Sequence, residues 1–273
     1  MAGGVRQQNP PMPATALLLL LAVPAAQEGP GPPYGLFRPV PQDRLRPLSP
    51  DRPDATESPV TVDAGHLQFE VSLADWSRDR GRERLVGLQT NAKVGLSERT
   101  DLQVLLDPFV VEDGPGGGRL RGGGDVTTRL KWNLWGNDGG DTALALLPYA
   151  TFPGGGEVGG SELQGGLAVP FSTSAGDVSV GLMASFDAVY DDGADRHRLE
   201  VLHTAVAGFE LAERTGAYLE YAGTAGPGDY RASVNLGLTR ALSRDAVVDV
   251  GARVGLTSAA EDLGLFVGFT RRF

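Results

Sequence analysis

The chain has 273 residues, a formal net charge of −10, 39 glycines and no cysteine. At roughly 100–200 residues per domain, that length allows one domain or two small ones. Absence of cysteine excludes a disulfide framework, a thiolate metal site and a Cys nucleophile, and an isoelectric point near 4.8 argues against a nucleic-acid binder.

The first element is an apolar run at 14–23 that includes five consecutive leucines at 17–21. It is about half of the ~20 residues a helix needs to cross a bilayer. Arg6 precedes it and the small residues Pro24-Ala25-Ala26-Gln27 follow it. This is the pattern of a secretory signal peptide over 1–26, with an uncleaved anchor or a buried helix as the alternative. Residues 27–64 carry prolines at 30, 32, 33, 39, 41, 47, 50, 53 and 59. Proline has no amide donor, so an extended or disordered periplasmic leader is expected there. The leader either stays outside the domain behind it or enters its lumen as a plug.

From residue 65 the apolar residues fall on alternate positions, the period of a strand with two unlike faces. Leu67, Phe69, Val71 and Leu73 oppose Gln68, Glu70 and Ser72. The pattern recurs near 88–96, 102–107, 126–134, 144–148, 163–171, 178–190, 199–210, 217–221, 230–239, 246–256 and 263–273. Twelve strands of about the ~9–11 residues that a tilted transmembrane strand requires are therefore predicted. Links near 97–101, 136–140, 172–177, 211–215 and 243–245 are short; those near 78–84, 112–124, 153–160, 191–196, 223–229 and 257–262 are longer or richer in glycine. An antiparallel up-and-down outer-membrane β-barrel has this asymmetry, with tight periplasmic turns and longer outer loops. Residues 65–273 would form it, and both chain ends would fall on the tight-turn side. A mean hydropathy of −0.12 is no objection, because a barrel averages an apolar and a polar face. The rival reading is a soluble all-β sandwich or barrel, which also needs only one apolar face.

Phe269 and Phe273 end the last strand on its apolar side, and a terminal aromatic resembles the signal by which barrel assembly machinery recognises its clients. Arg271 sits on the same predicted lipid-facing side, a charged departure from its apolar pattern that is expected only at the membrane edge. Trp132 and Trp135 have opposite parity, so only one of them should face lipid unless Trp135 already lies in the turn.

Two stretches resemble a known family: Asp51-Arg52-Pro53-Asp54-Ala55-Thr56-Glu57-Ser58-Pro59 with Gly65-His66-Leu67-Gln68-Phe69-Glu70, and Gly124-Asp125-Val126-Thr127-Thr128-Arg129-Leu130-Lys131-Trp132-Asn133-Leu134-Trp135-Gly136-Asn137. The family is the group of outer-membrane transporters associated with the phenol-degradation (MetA) pathway, and the resemblance runs from about residue 52 to 273. It implies a Gram-negative outer-membrane protein that passes small organic, including aromatic, compounds.

By parity the ionisable side chains lining the lumen are Glu70, Lys93, Asp107, Arg129, Lys131, Glu162, Asp187, Glu200, Glu220, Arg231, Asp249 and Arg253. The mixture of signs predicts no strong charge selectivity; Arg129 and Lys131 form its densest cationic rung, either as a weak anion contact or paired with lumen carboxylates. His66, His197 and His203 are not matched by a well-placed serine, and no Gly-x-Ser-x-Gly elbow occurs. Neither catalysis, metal nor cofactor is expected, and the partners are outer-membrane lipid, assembly machinery and an unidentified small solute. The competing function is a structural or adhesion barrel with a closed lumen and partner-binding loops.

Overall fold

The computed structural model describes residues 33–114 and 117–273, so the signal-peptide reading of 1–26 and the first residues of the leader lie outside the described residues. Fourteen strands follow in chain order: β1 (Leu67–Asp79), β2 (Arg82–Gly95), β3 (Thr100–Leu106), β4 (Phe109–Asp113), β5 (Arg119–Gly122), β6 (Val126–Trp135), β7 (Thr142–Phe152), β8 (Gln164–Ala175), β9 (Val178–Asp191), β10 (Arg196–Ala212), β11 (Thr215–Ala225), β12 (Arg231–Ser243), β13 (Ala246–Gly255) and β14 (Leu263–Arg272). Every pairing between them is antiparallel, and β1 bonds both β2 and β14, which closes the sheet.

The wall has twelve staves because two of them are interrupted. β3 pairs with one half of β2 and β4 with the other, with Asp107-Pro108 between them. β5 and β6 likewise pair with β4 and β3 in turn, with residues 123–125 between them. Within the predicted loop over 112–124, residues 112–113 and 119–122 are therefore strand.

Burial is inverted relative to a soluble domain. Lys131, Gln103, Asp101 and Asn133 are 0% exposed, while Leu219 and Val250 on the outer face are 52% and 51% exposed. Apolar outside and polar inside is the pattern a closed barrel requires in lipid, where every backbone group must be paired within the sheet. It disfavours the soluble sandwich, whose apolar face would be the buried one.

Two irregularities explain where alternation misled. Leu73 and Leu88 are skipped in the β1–β2 register, which passes from Ser72↔Gln89 to Ala74↔Gly87. Leu88 has a φ of +55°. Beyond this point inward positions change parity, so Asp75 and Val86 face in; read as simple alternation, β1 stops at Leu73 and β2 starts at Leu88. The predicted loop over 78–84 is instead strand, closed by Arg80-Gly81, both at positive φ, as a two-residue hairpin turn requires. Elsewhere the asymmetry holds in part: turns at 176–177, 213–214 and 244–245 face loops of up to 153–163 and 256–262 at the other end, but the link at 136–141 is longer than those at 192–195 and 226–230 opposite it. A second register shift, between Asn133 and Trp135, returns Trp135 to the outer face opposite Leu144. Both tryptophans thus face outward, and the expected conflict between Trp132 and Trp135 disappears.

Candidate functional site

The chain enters the barrel at the end that carries its C-terminal residue, here the proximal end. Apart from one 3-10 turn, Gln42–Arg44, residues 34–64 form no helix or strand. Tyr34, Val40, Leu45 and Ala64 pack together, and the Val40 amide donates to the Ala64 carbonyl at 3.0 Å. His66 sits between two carbonyl oxygens, with Nδ1 2.9 Å from that of Phe273 and Nε2 2.8 Å from that of Val40. Arg272 is inward-facing and buried; Nη1 donates to Asp63 Oδ2 at 3.0 Å and to the Arg46 carbonyl at 2.9 Å, and Nη2 to Asp245 Oδ1 at 2.6 Å. The entering chain crosses β2 at Gly95, where any Cβ would collide with the Asp63 carbonyl. Gly95→Ala is therefore expected to unseat the crossing. Limited proteolysis in detergent should then cut between residues 34 and 64 at least ~10 times faster than in the wild type, while the strands stay resistant.

Between these anchors the chain loops up inside the wall, and many polar groups of this inner segment, residues 49–62, meet barrel side chains. Asp51 pairs with Lys93 and, at 2.5 Å, with Lys131; Lys93 also pairs with Glu70. Arg52 makes a two-toothed contact to Asp249, 2.8 and 3.0 Å, and its guanidinium lies where a side chain at Gly268 would stand. Glu57 pairs with Arg129. Glu220 accepts from the Ala55 and Thr56 amides at 2.9 and 2.7 Å and from Asn235 Nδ2 at 2.5 Å. Thr56 Oγ1 donates to Glu220 at 2.6 Å and lies 2.7 Å from Thr204 Oγ1.

Backbone accounting shows how a structureless segment can be held here. Pro50, Pro53 and Pro59 carry no donor. The amides of Asp51, Thr61 and Val62 donate to Glu70, Asn137 and Asp101, and Asn133 donates to the Pro59 carbonyl. A buried backbone donor is costly unless paired, and the wall supplies the acceptors that a strand partner would otherwise provide.

The residues selected by parity divide into four groups. Glu70, Lys93, Arg129, Lys131, Glu220 and Asp249 converge on the inner segment. Asp107, Asp187 and Arg253 bond within the wall: Asp107 accepts from Gln89 at 2.7 Å, Asp187 from Tyr149 at 2.6 Å, and Arg253 forks onto Asp75 at 2.7 and 3.0 Å while lying over the Phe266 ring. Glu200 and Arg231 pair at 2.5 Å at the distal rim. Glu162 is a correction: β8 begins two residues later, and Glu162 stands exposed in the 153–163 loop. Phe269 and Phe273 are on the outer face, with Phe273 edge-on to Phe69 and under Arg271.

Sequence reasoning missed the inner segment's own side chains: Asp51, Arg52, Thr56 and Glu57. Their signal was the charged stretch at 51–57 within a proline-rich leader, facing a lumen rich in unpaired charge. His197 lies outward against the Leu163 carbonyl, 2.6 Å away, and His203 lies on the outer face 2.8 Å from the Tyr230 hydroxyl.

Cavities flank the inner segment on both sides. Toward the distal end lie one of about 300 Å³, bordered by Ala55 and Glu57, and one of about 200 Å³, bordered by Asp54. Toward the proximal end lie cavities of about 550 and 320 Å³, both bordered by Asp54.

A family model described as "Putative MetA-pathway of phenol degradation" matches residues 50–273. Among solved structures, the NanC porin in its rhombohedral crystal form is 9% identical with a TM-score of 0.52, the match covering 75% of this chain and 98% of that one. OmpT of Vibrio cholerae, expressed in the outer membrane, is 12% identical with a TM-score of 0.39 over 84% of this chain and 100% of that one. The beta domain of the Bordetella autotransporter BrkA is 16% identical with a TM-score of 0.38 over 76% and 98%. The likeness to NanC concerns the fold. No curated protein matches the chain.

Proposed function

The chain belongs to the phenol-degradation family whose model spans residues 50–273, and we propose that it is a Gram-negative outer-membrane channel for small organic compounds, closed at rest by its own inner segment. The observation that carries this reading is the pair of cavity systems separated by a segment that is held through side chains alone, with no ladder bonds. Such contacts can be released without breaking the barrel. The proximal end would face the periplasm, the lipid would meet the outer apolar face, and solutes would move down their gradients through a lumen of mixed charge. Passage needs neither cofactor nor bond chemistry, and we read the protein as a transporter, not an enzyme.

The inner segment also favours the competing reading of a permanently closed structural barrel, and one experiment separates the two. The chain has no cysteine, so an engineered pair is the only disulfide that can form. Thr56→Cys with Thr204→Cys joins two side chains whose oxygens lie 2.7 Å apart. In liposomes the reduced form is expected to admit a small aromatic solute and the oxidised form to exclude it, reversibly with dithiothreitol. Equal exclusion by both forms would establish the closed barrel; equal uptake by both would show that the segment is not the gate.

A further inference from the structure

The barrel interior is largely polar, with a few inward apolar clusters, one of which borders a cavity. Leu147 on β7, Ala168 on β8 and Met183 on β9 face inward as a packed cluster, with Leu202 on β10 against it. An apolar patch that faces away from lipid gains nothing from the membrane. Here it lines the distal cavity of about 300 Å³, whose remaining border includes Arg129, Tyr149 and Asp187. An apolar wall with a few convergent polar groups is the usual makeup of a small-molecule site.

The polar side of that cavity is already occupied by a carboxylate. Arg129 is paired with Glu57 of the inner segment, and Glu57 Oε2 is buried with no hydrogen-bond partner. Glu57 thus stands as an imperfect occupant of a guanidinium whose planar fork suits a two-oxygen acceptor.

Resting on the channel reading above, we propose that this cavity binds a small aromatic carboxylate, which takes Arg129 from Glu57 and lays its ring on the wall of Leu147, Ala168, Met183 and Leu202. One carboxylate replaces another on Arg129, so the ion pair is conserved and burial of the ring supplies the difference. Because Glu57 belongs to the inner segment, losing Arg129 frees one of the segment's anchors. Binding of the solute and release of the gate are then the same exchange, and each favours the other. A neutral phenol has no charge with which to displace Glu57 and would bind more weakly.

The test is calorimetric titration of the full chain in detergent with sodium benzoate, phenol and sodium acetate. Ala168→Leu, which fills the cavity, serves as the reference for uptake by micelles, and gel mobility before and after heating checks that each variant is folded. Benzoate is expected to bind saturably, at least ~10-fold more tightly than phenol or acetate, because only it combines ring and charge. Glu57→Gln should tighten benzoate about 10-fold by removing the internal competitor, and Arg129→Gln should abolish binding. Binding that is absent, that is unchanged in folded Ala168→Leu, or that Glu57→Gln leaves unchanged or weakens would overturn the proposal. The channel reading fails separately: saturable benzoate binding without solute flux in liposomes would sink the channel and keep the site. Flux without benzoate binding would do the reverse.

Discussion

Replacing Asp51 with alanine is expected to shift the barrel from mostly closed to mostly open. Lys131 and Lys93 point at this one carboxylate from adjacent regions of the wall, with side chains 0% and 1% exposed. Lys93 keeps Glu70 when Asp51 is removed, but Asp51 is the carboxylate paired with Lys131. Removing one partner of a buried pair costs about 3–5 kcal/mol, because the other charge is left dry and uncompensated. On the proposed channel reading the barrel has a way to relieve that cost: if the inner segment leaves, water enters and hydrates Lys131. Nearly all of the penalty then falls on the closed state, and the open-to-closed ratio should rise by about two to four orders of magnitude. Single-channel recording in planar bilayers would register it as a rise in open probability. Asp51→Ala with Lys131→Met should restore closure, since it removes the stranded charge along with its partner. An open probability equal to the wild type in Asp51→Ala would show that the ion pairs at the segment's tip do not hold the gate.

The same residues show how much of the molecule was legible beforehand. Alternation from Leu67 to Phe273 locates all twelve staves, because in lipid the contrast between faces is enforced along every strand. It fails where the backbone departs from simple pairing. The skipped Leu73 and Leu88 flip the parity of the distal half of the first hairpin, and the shift at Asn133 flips that of Trp135. No residue type at those positions announces the change. Glu162 fails for a related reason, since a period-two reading extends back beyond the first ladder residue of β8 into the loop. The inner segment was beyond alternation altogether. Its prolines correctly argue against a strand or helix, yet they say nothing of location. Only pairing the odd charges of 51–57 with those of the lumen, Asp51 with Lys93 and Lys131, Arg52 with Asp249, Glu57 with Arg129, would have put it inside. That needs the three-dimensional order of the staves, because the partners lie on β2, β6 and β13.

Arg272 and Arg271 are neighbours near the end of the same strand, and their replacement is expected to have very different consequences. Arg272 faces in, with its side chain 3% exposed, and holds three parts of the chain together: the entering segment through Asp63 and the Arg46 carbonyl, the β12–β13 turn through Asp245, and the closing strand to which it belongs. Arg271 faces out and lies over the Phe273 ring, 5.4 Å from its centre. An exposed contact of that kind is worth about 0.5–1 kcal/mol. Arg272→Met, by contrast, leaves Asp63 with Arg46 alone and strips Asp245 of its buried partner. That places the loss in the range of about 3–5 kcal/mol for a broken buried network. Because the entering segment and the closing strand share this side chain, the deficit should appear in both. In urea titrations of the refolded protein in detergent, Arg272→Met is expected to lower the unfolding midpoint clearly and Arg271→Ala to leave it close to the wild type. Protease sensitivity at residues 34–64 should rise in Arg272→Met alone. If the two variants unfold together, the clasp at the proximal end is not what joins the gate to the wall, and the segment is held by its tip contacts with Lys93, Lys131 and Asp249.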